Sequence, residues 1–552
     1  MQQHLEAEVL VAGAGPVGLT LAMTLASRGV KVLVVEPRAR LEPPSVKCNH
    51  VSARSMEIFR RLGVAAAVRQ AGLPPDYPHD IAYRVSATGK ELTRIHIPCR
   101  RERYTDTEGP DGNWPTAEPP HRINQIFLEP ILFRAAEACA GVTLLNEHRL
   151  AGFRQDANGV EASIEGLDGE PRLTVACRYL VGCDGARSGV RHAIGARLQG
   201  DAVVQRVQST YIRAPGLRER FAHAPAWATF SLNPVRCGNM YAIDGKERWL
   251  IHNYLRDDEP DFDSVDRDAC IRAILGVGPE FAYETISHED WYGRRLVATH
   301  LRDRRAFICG DAAHLWVPYA GYGMNAGIAD AENLGWLLAA RLQGWGGPGV
   351  LDGYEAERLP ITEQVSHFAM NHAHAMAQQR GSVPPNIDDD DAAGAAARAE
   401  LGARAYALNV QQYACAGLNF GYFYAESALI AYDGEAAPAY TMGSFEPSTV
   451  PGCRTPYFVL ADGRPLYDAM GTGYTVLRFD SGIDLAPLLA AARAVGMPLQ
   501  VLDADRQDPR AAVYRHRLLI SRPDQHVAWR GDALPADVQG LVDRLRGAWA
   551  AA

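Results

Sequence analysis

Gly13, Gly15 and Gly18, in VAGAGPVGLTLA, stand in G-x-G-x-x-G order, with Pro16 inside the loop. Each glycine answers a physical need. Gly13 allows a tight turn, Gly15 lets the backbone approach a pyrophosphate, and Gly18 permits close packing of helix on strand. The helix that follows offers free N–H groups and the positive end of its dipole to phosphate oxygens. KVLVVE then ends on Glu36, 21 residues after Gly15. A carboxylate there accepts hydrogen bonds from a ribose 2′-hydroxyl, which favours an adenosine without a 2′-phosphate. A second glycine loop opens at Gly310-Asp311 and carries Gly321, Gly323 and Gly327 in GDAAHLWVPYAGYGMNAGIADAEN. Two loops of this kind in one chain suit one long ligand held from opposite ends.

The flanking elements decide whether such a match means anything. EVLVAG is a short β-branched-rich run of the kind buried in a parallel sheet. LTLAMTLASRG has a helical pattern closed by Gly29, and a second strand ends on Glu36. GWGGPG at 344–349 also fits G-x-G-x-x-G, yet it follows a helix and leads to no strand, so it reads as a linker.

The 552 residues allow two or more domains, and 47% apolar with 22% charged residues is ordinary globular composition. A net charge of −9 argues against a nucleic-acid surface. The ten cysteines include no C-x-x-C pair, which disfavours zinc ribbons and dithiol chemistry and suits reduced thiols. No cluster of His, Cys or carboxylates has ligand spacing, so no metal is expected. No apolar run approaches a membrane span, and the N-terminus lacks a basic leader. The expectation is a soluble cytoplasmic protein with no membrane or nucleic-acid partner.

RYLVGCDGARSGVR (178–191) adds a strand ending in Asp184-Gly185, followed by Arg187 and Arg191. With the two glycine loops it resembles the three signatures of the class A flavoprotein monooxygenases, the single-component aromatic hydroxylases. VSARSMEIFRRLGV (51–64), INQIFLEPIL (123–132) and YEAERLP (354–360) are similar to that family's intervening segments, so the likeness runs in order through about the first 370 residues. The resemblance implies non-covalent FAD, NADPH or NADH as co-substrate, O2, and hydroxylation of a phenolic or related aromatic through a flavin C4a-hydroperoxide. It also implies that Gly13, Gly15, Pro16, Gly18 and Glu36 take the adenosine and pyrophosphate side, with Arg54 and Gln125 on the ribose–pyrophosphate. Asp184, Gly185 and Arg187 belong to a motif tied to FAD and NAD(P)H, and Gly310 and Asp311 would meet the ribityl chain. Pro318, Gly321, Gly323, Met324 and Asn325 would run along the isoalloxazine ring, with the Pro318 backbone near substrate. One departure is visible: Leu337 in NLGWLLA stands where the family often has Lys.

The helix starting near Gly323 would aim its N–H groups at the flavin N1–C2=O edge. His314 reads as structural, Asp330 and Glu332 as helix-start acids, and Arg60 and Arg61 as a solvated face.

Between 200 and 300 the runs VQSTYIRA, AWATFSLN, GNMYAID and ERWLIHNYL are short, aromatic-rich strands. They suggest an antiparallel sheet roofing the flavin, with Tyr211, Trp227, Phe230, Tyr241, Trp249 and Tyr254 as pocket candidates. DDDD at 388–391 reads as an exposed linker. NFGYFYAESALIAYDG and STVPGCRTPYFVLADGRPLYDAMGTGYTVLRF resemble the C-terminal region of the phenol-hydroxylase-like branch, which carries a thioredoxin-like domain. No cysteine lies beyond Cys453, so this domain is expected to be structural, and a homodimer is an open arrangement.

The organisation expected is therefore α/β: a Rossmann-like FAD domain (1–199 and 301–378), an antiparallel substrate domain (200–300), a helical linker region (379–449) and a thioredoxin-like domain without C-x-x-C (450–552). Arg122 and Asn49, with Pro318, are the candidate catalytic groups. An arginine near the ring would stabilise a phenolate or anchor a substrate carboxylate. Pairing of Arg122 with FAD phosphate or with a surface acid stays open beside this. Baeyer–Villiger oxidation, epoxidation, simple dehydrogenation or electron transfer, and a non-enzymatic FAD-fold binding protein are the competing readings.

Overall fold

The computed structural model describes residues 3–47, 49–167 and 173–549. The strand Gln3–Ala12 lies in the middle of a mixed sheet, parallel to Val32–Glu36 on one side and to Leu173–Gly182 on the other. Val142–Asn146 and Ala306–Ile308 extend the parallel run at either side. VLVVE is buried along its whole length, as a strand covered on both faces must be. The carboxyl ends of the parallel strands place Gly13, Cys183 and Cys309 together: Gly13 N–H bonds Val35, Cys183 N–H bonds Ala12, and Cys309 N–H bonds Gly182. Two glycine loops far apart in sequence thus open at one sheet edge, where ligands of open α/β sheets bind.

Helices Pro16–Ala26 and Tyr322–Leu342 follow those loops and pack on one another. A Cβ on Gly335 would fall 2.5 Å from Thr24 Cγ2, so the glycine sets the helix separation. Asp330 and Glu332 do not open this helix. It starts at Tyr322, both acids are buried within it, and Glu332 pairs with Arg28 (3.2 Å) and Arg61 (3.0 Å). Arg61 is accordingly no solvated surface residue, and Arg60 bridges to Asp468 of the tail (2.7 Å).

The second sheet runs His314–Trp316, Glu284–Ala298, Leu198–Arg213, Arg248–Tyr254, Gly238–Ala242, Ala228–Ser231, Ile81–Arg84, Glu91–Ile95. It is antiparallel except where Ala228–Ser231 meets Ile81–Arg84. That last hairpin comes from the middle of the 1–199 stretch, so the sheet is assembled from more than 200–300. Alternation sorts its residues. Met240, Trp249 and Ile251 pack with Ile271, Ile274 and Leu275 of the covering helix Arg267–Leu275. Tyr211, Phe230, Tyr241 and Tyr254 take the opposite, inner face, as the pairings Tyr241↔Ala228, Tyr241↔Leu250 and Leu250↔Tyr211 require. Trp249 is therefore a core residue of the outer face, not a pocket residue.

DDDD is no free linker. Asp391 caps the helix Ala392–Tyr413 by accepting from Gly394 N–H at 2.7 Å, and Lys90 holds Asp390 at 2.7 Å. An aspartate at the N-cap is a favoured helix start, and this signal outweighed the charge run. The tail has the thioredoxin-like order expected. Tyr474–Arg478 and Leu499–Asp503 pair in parallel across the helix Ala486–Ala494, and Leu518–Ser521 with Val527–Gly531 forms an antiparallel hairpin. The GWGGPG loop packs on its end: Gly347 N–H bonds Arg546 (2.6 Å) and Gly349 N–H bonds Gly547 (2.9 Å).

Among the described residues no helix is long and apolar enough to cross a membrane, no group of His, Cys, Asp and Glu is arranged to hold a metal ion, and nine cysteines are free. Burial pushes the Cys453 thiol up to about 11, so it carries little thiolate at neutral pH. Cys453→Ser is expected to leave turnover within about twofold of the parent, with a stability loss of about 1 kcal/mol. A disulfide through Cys453 that forms and breaks during turnover, seen by mass spectrometry, would refute this.

Candidate active site

Gly15 is the N-cap of the first helix and makes no side-chain cap, so its first N–H groups face outward. Gly13 has φ +104°, and a Cβ there would lie 2.3 Å from Cys183 O; one on Gly18 would lie 2.0 Å from Gly13 O. Gly15 differs: a Cβ would meet nothing within 4 Å. Its open side faces a groove of about 420 Å³ lined also by Gly13, Glu36, Arg38, Asp184 and Gly185. Glu36 accepts from Ala14 N–H (2.6 Å) and from Arg38 Nε (2.8 Å), which fixes the carboxylate at the groove wall. Arg38, which sequence reasoning passed over, is held in turn by Glu129 (2.8 Å). Asp184 accepts from Ser188 Oγ and from Val190 N–H (3.1 Å), and so orders the turn on which exposed Arg187 stands. Uncapped N–H groups, an open cradle at Gly15 and a fixed carboxylate fit a dinucleotide.

The second loop closes on the same edge. Gly310 (φ +63°) sits against Val17, and Asp311 follows it in an exposed position. The helix Tyr322–Leu342 is capped by Gly321 (φ +60°) with no side-chain partner, so its N-terminal N–H groups are also free. The Asn325 side chain is not free for a cofactor. It donates to His50 O (3.1 Å) and Gly321 O (2.6 Å) and accepts from Ser52 N–H (2.8 Å). Pro318 is exposed, whereas Met324 is buried in the core under the loop. Beneath them Asp330 joins His314 (2.7 Å) to Arg358 (2.7 Å). Burial alone would raise the Asp330 carboxyl, but Arg358 and His314 outweigh it and hold it below its ordinary value.

Arg54 is not at the groove. Its guanidinium is buried against Glu57 (3.1 Å), Gln525 and the carbonyl of Asp524 (2.7 Å), so it ties the tail to the FAD-binding part, while its Nε has no partner among the described residues. Gln125 stands at the start of the helix Gln125–Ala138, half-buried, with its N–H on Lys47 O (3.2 Å).

The inner face of the second sheet carries the aromatic cluster. Trp227 lies 5.5 Å from Tyr241, and Phe230 stacks on Tyr83 at 4.9 Å. Tyr413, from the end of Ala392–Tyr413, adds edge contacts to Trp227 (6.4 Å) and Phe230 (6.5 Å). Tyr211 packs apart from these, with Ile243 and Leu250 and near Tyr241. Arg122 reaches this cluster, and among the described residues it pairs with no surface acid. Its guanidinium is buried, lies 4.8 Å from the Trp227 ring and 5.8 Å from Tyr413, and donates to His50 Nδ1. Asn49 accepts from Asn124 Nδ2 beside it. Burial depresses both Arg122 and His50, the latter well below its ordinary value with Arg122 adding to the effect.

A dinucleotide loop and a second glycine loop converging on one parallel sheet, beneath an aromatic-lined antiparallel sheet, define an FAD-dependent oxidoreductase with a separate ring-binding lobe. Residues 6–369 match the family model described as "FAD binding domain" and 448–552 that described as "Aromatic-ring hydroxylase, C-terminal". The chain belongs to the class A FAD-dependent aromatic-ring hydroxylases, phenol-hydroxylase-like branch, and is a flavoprotein monooxygenase whose cofactor is FAD. It is 31% identical to aklavinone 12-hydroxylase RdmE of Streptomyces purpurascens over 99% of each chain. It is 27% identical to the phenol 2-monooxygenase of Pseudomonas sp. strain EST1001, over 98% of this chain and 93% of that one. The solved structure of the rebeccamycin biosynthetic enzyme RebC with reduced flavin superposes with a TM-score of 0.89 at 33% identity, covering 99% of this chain and all of that one.

Proposed function

We propose that this chain is an NAD(P)H- and O2-dependent monooxygenase that places a hydroxyl group on a phenolic or related aromatic ring. The observation that carries the reading is the aromatic inner face, Tyr83, Trp227, Phe230, Tyr241 and Tyr413, set across from a glycine loop whose helix N-terminus is uncapped. FAD, when bound, accepts the hydride and activates oxygen. The protein's share is to hold the ring, exclude water and fix charge. Trp227 and Phe230 supply flat apolar walls for an aromatic. The N–H groups after Gly321 favour negative charge at the edge they face. Burial raises the Tyr241 hydroxyl to about 12, so it stays protonated and can donate to a substrate oxygen at neutral pH. Free, mostly buried cysteines suit a reducing compartment, and a cytoplasmic location is part of the reading.

Among the described residues no second strand-linked dinucleotide fingerprint stands apart from Gly13–Gly18 for the nicotinamide. NAD(P)H therefore has a transient place on this reading, and its oxidation is expected to rise about tenfold or more when a fitting phenol is present. Stopped-flow reduction with and without a panel of mono- and polycyclic phenols, scored with product mass, tests this. Fast reduction that no phenol changes, with no oxygen gained by any, would favour the dehydrogenase reading.

A further inference from the structure

Arg122 is a buried cation without a counter-ion. Among the described residues no carboxylate pairs with it; the acid it senses most, Asp111, is already held by Arg103 at 2.6 Å. Burial of an unpaired charge is strongly unfavourable, and a guanidinium does not escape by losing its proton. Two aromatic faces, Trp227 and Tyr413, soften the cost without cancelling it.

Its one hydrogen-bond partner among the described residues is informative. An arginine has no acceptor, so the contact with His50 Nδ1 requires that nitrogen to be the acceptor and puts the ring proton on Nε2. His50 Nε2 and Arg122 Nη2 are both buried and both lack a partner among the described residues. The backbone holds the pair side by side: Val51 and His121 exchange two hydrogen bonds, 2.8 and 2.9 Å, so residues 50 and 122 flank one bridge. The pair also abuts the second glycine loop, since a Cβ on Gly321 would lie 2.9 Å from His50 Cβ. Two adjacent orphan donors, one permanently charged, between that loop and an aromatic wall make an anion receptor.

We propose that Arg122 and His50 together recognise an anionic oxygen on the substrate ring, a carboxylate or a phenolate, so that the substrate enters as an anion. The proposal rests on the monooxygenase reading above and names the substrate class of that same site. The receptor is sealed, and the structure points to what covers it. Tyr413 lies over Arg122, and Ala416, three residues on, lines an open groove of about 540 Å³ with Arg103, Trp114 and Phe445. The chain between them leaves the regular helix and passes into a π-helical turn, Gly417–Gly421, a geometry common at functional sites. Entry of the anion then requires the Tyr413–Ala416 segment to yield.

The test uses the FAD-loaded full chain and three probes, 3-hydroxy-2-naphthoate, its methyl ester and 2-naphthol, with binding read from the flavin absorption spectrum. We expect one anionic form, the acid or the naphtholate, to bind at least about tenfold more tightly than its neutral counterpart. A preference for the acid over the ester marks a carboxylate; naphthol binding that strengthens as pH rises through its own ionisation marks a phenolate. Arg122→Met is expected to abolish the preference with FAD content unchanged, Arg122→Lys to restore part of it, and His50→Leu to weaken it. Equal binding of acid and ester with no pH effect on naphthol, no binding of any probe at millimolar concentration, or a preference that survives Arg122→Met would overturn the proposal. A wild-type chain that never takes up FAD, or that binds the anions yet oxygenates nothing, would instead count against the monooxygenase reading.

Discussion

Gly15→Val is expected to fold like the parent and to purify without FAD. Gly15 has ordinary extended backbone angles (φ −73°, ψ 178°), and a Cβ there meets nothing within 4 Å, so the protein itself has no objection to a side chain. A β-branched residue is at ease in that conformation, and the stability change is about 1 kcal/mol or less. The space the valine fills is the one a pyrophosphate needs for contact with the helix N-terminus. The neighbouring glycines are controls of the opposite kind. Gly13→Ala pushes a Cβ to 2.3 Å from Cys183 O at φ +104°, and is expected to lose several kcal/mol of stability, about 3 or more, together with the cofactor. The measurement is FAD stoichiometry from absorbance beside a urea unfolding curve for each variant. A yellow Gly15→Val protein with full FAD would show that the groove at residues 13–18 is not the phosphate site.

Those glycines were legible in the sequence because their work is local. A tight turn, a close approach and a helix start lie within six residues, so spacing alone reports them. The same holds for the parallel strands, whose uninterrupted apolar runs announce burial on both faces. The partners of Arg54 were hidden for the complementary reason. Its surroundings include Asp524 and Gln525, about 470 residues away, and no local pattern says that the tail folds back on that helix. Asp330 and Glu332 look like helix-start acids until the true start, Tyr322, and their partners Arg358, Arg28 and Arg61 are known. The aromatic wall was half visible: strand alternation flagged Tyr211, Trp227, Phe230 and Tyr241, but could not tell inner Tyr254 from outer Trp249 without a register. Tyr413 and His50 carried no signal, since one ends a helix beyond the glycine-loop region and the other precedes a helix in a segment read for its arginine.

Removal of one carboxylate is expected to cost more stability than any other single change outside the glycine loops. Glu357 accepts both ends of the Arg522 guanidinium, at 2.6 and 2.7 Å, and neither side chain has measurable exposure. Asn333, on the helix that follows the second glycine loop, donates to Glu357 at 2.7 Å and to Asp524 at 3.2 Å, so the network joins the tail to the cofactor lobe. Glu357→Ala leaves Arg522 buried with Asp524 alone (2.9 Å), a loss of about 3–5 kcal/mol. FAD is expected to leave in the same transition, because the helix bearing Asn333 loses its anchor. The pH dependence has a definite sign. Burial would raise the Asp524 carboxyl, but Arg522 and His526 outweigh it and hold it well below the ordinary aspartate value of about 3.9. Its contribution is fully present above about pH 4 and is lost progressively as pH falls from there through the lower folded value, so acid is expected to weaken the parent over that range. In Asp524→Asn that part of the acid sensitivity disappears. The triple variant Glu357→Leu, Arg522→Met, Asp524→Asn separates pairing from packing, since it removes all three buried charges together, and exchanging a buried ionic group for neutral groups of similar size is often neutral. We expect it to recover most of the loss seen in Glu357→Ala, as read by the urea midpoint. If the triple variant is no more stable than Glu357→Ala, the loss comes from packing around residue 357 and not from a stranded arginine.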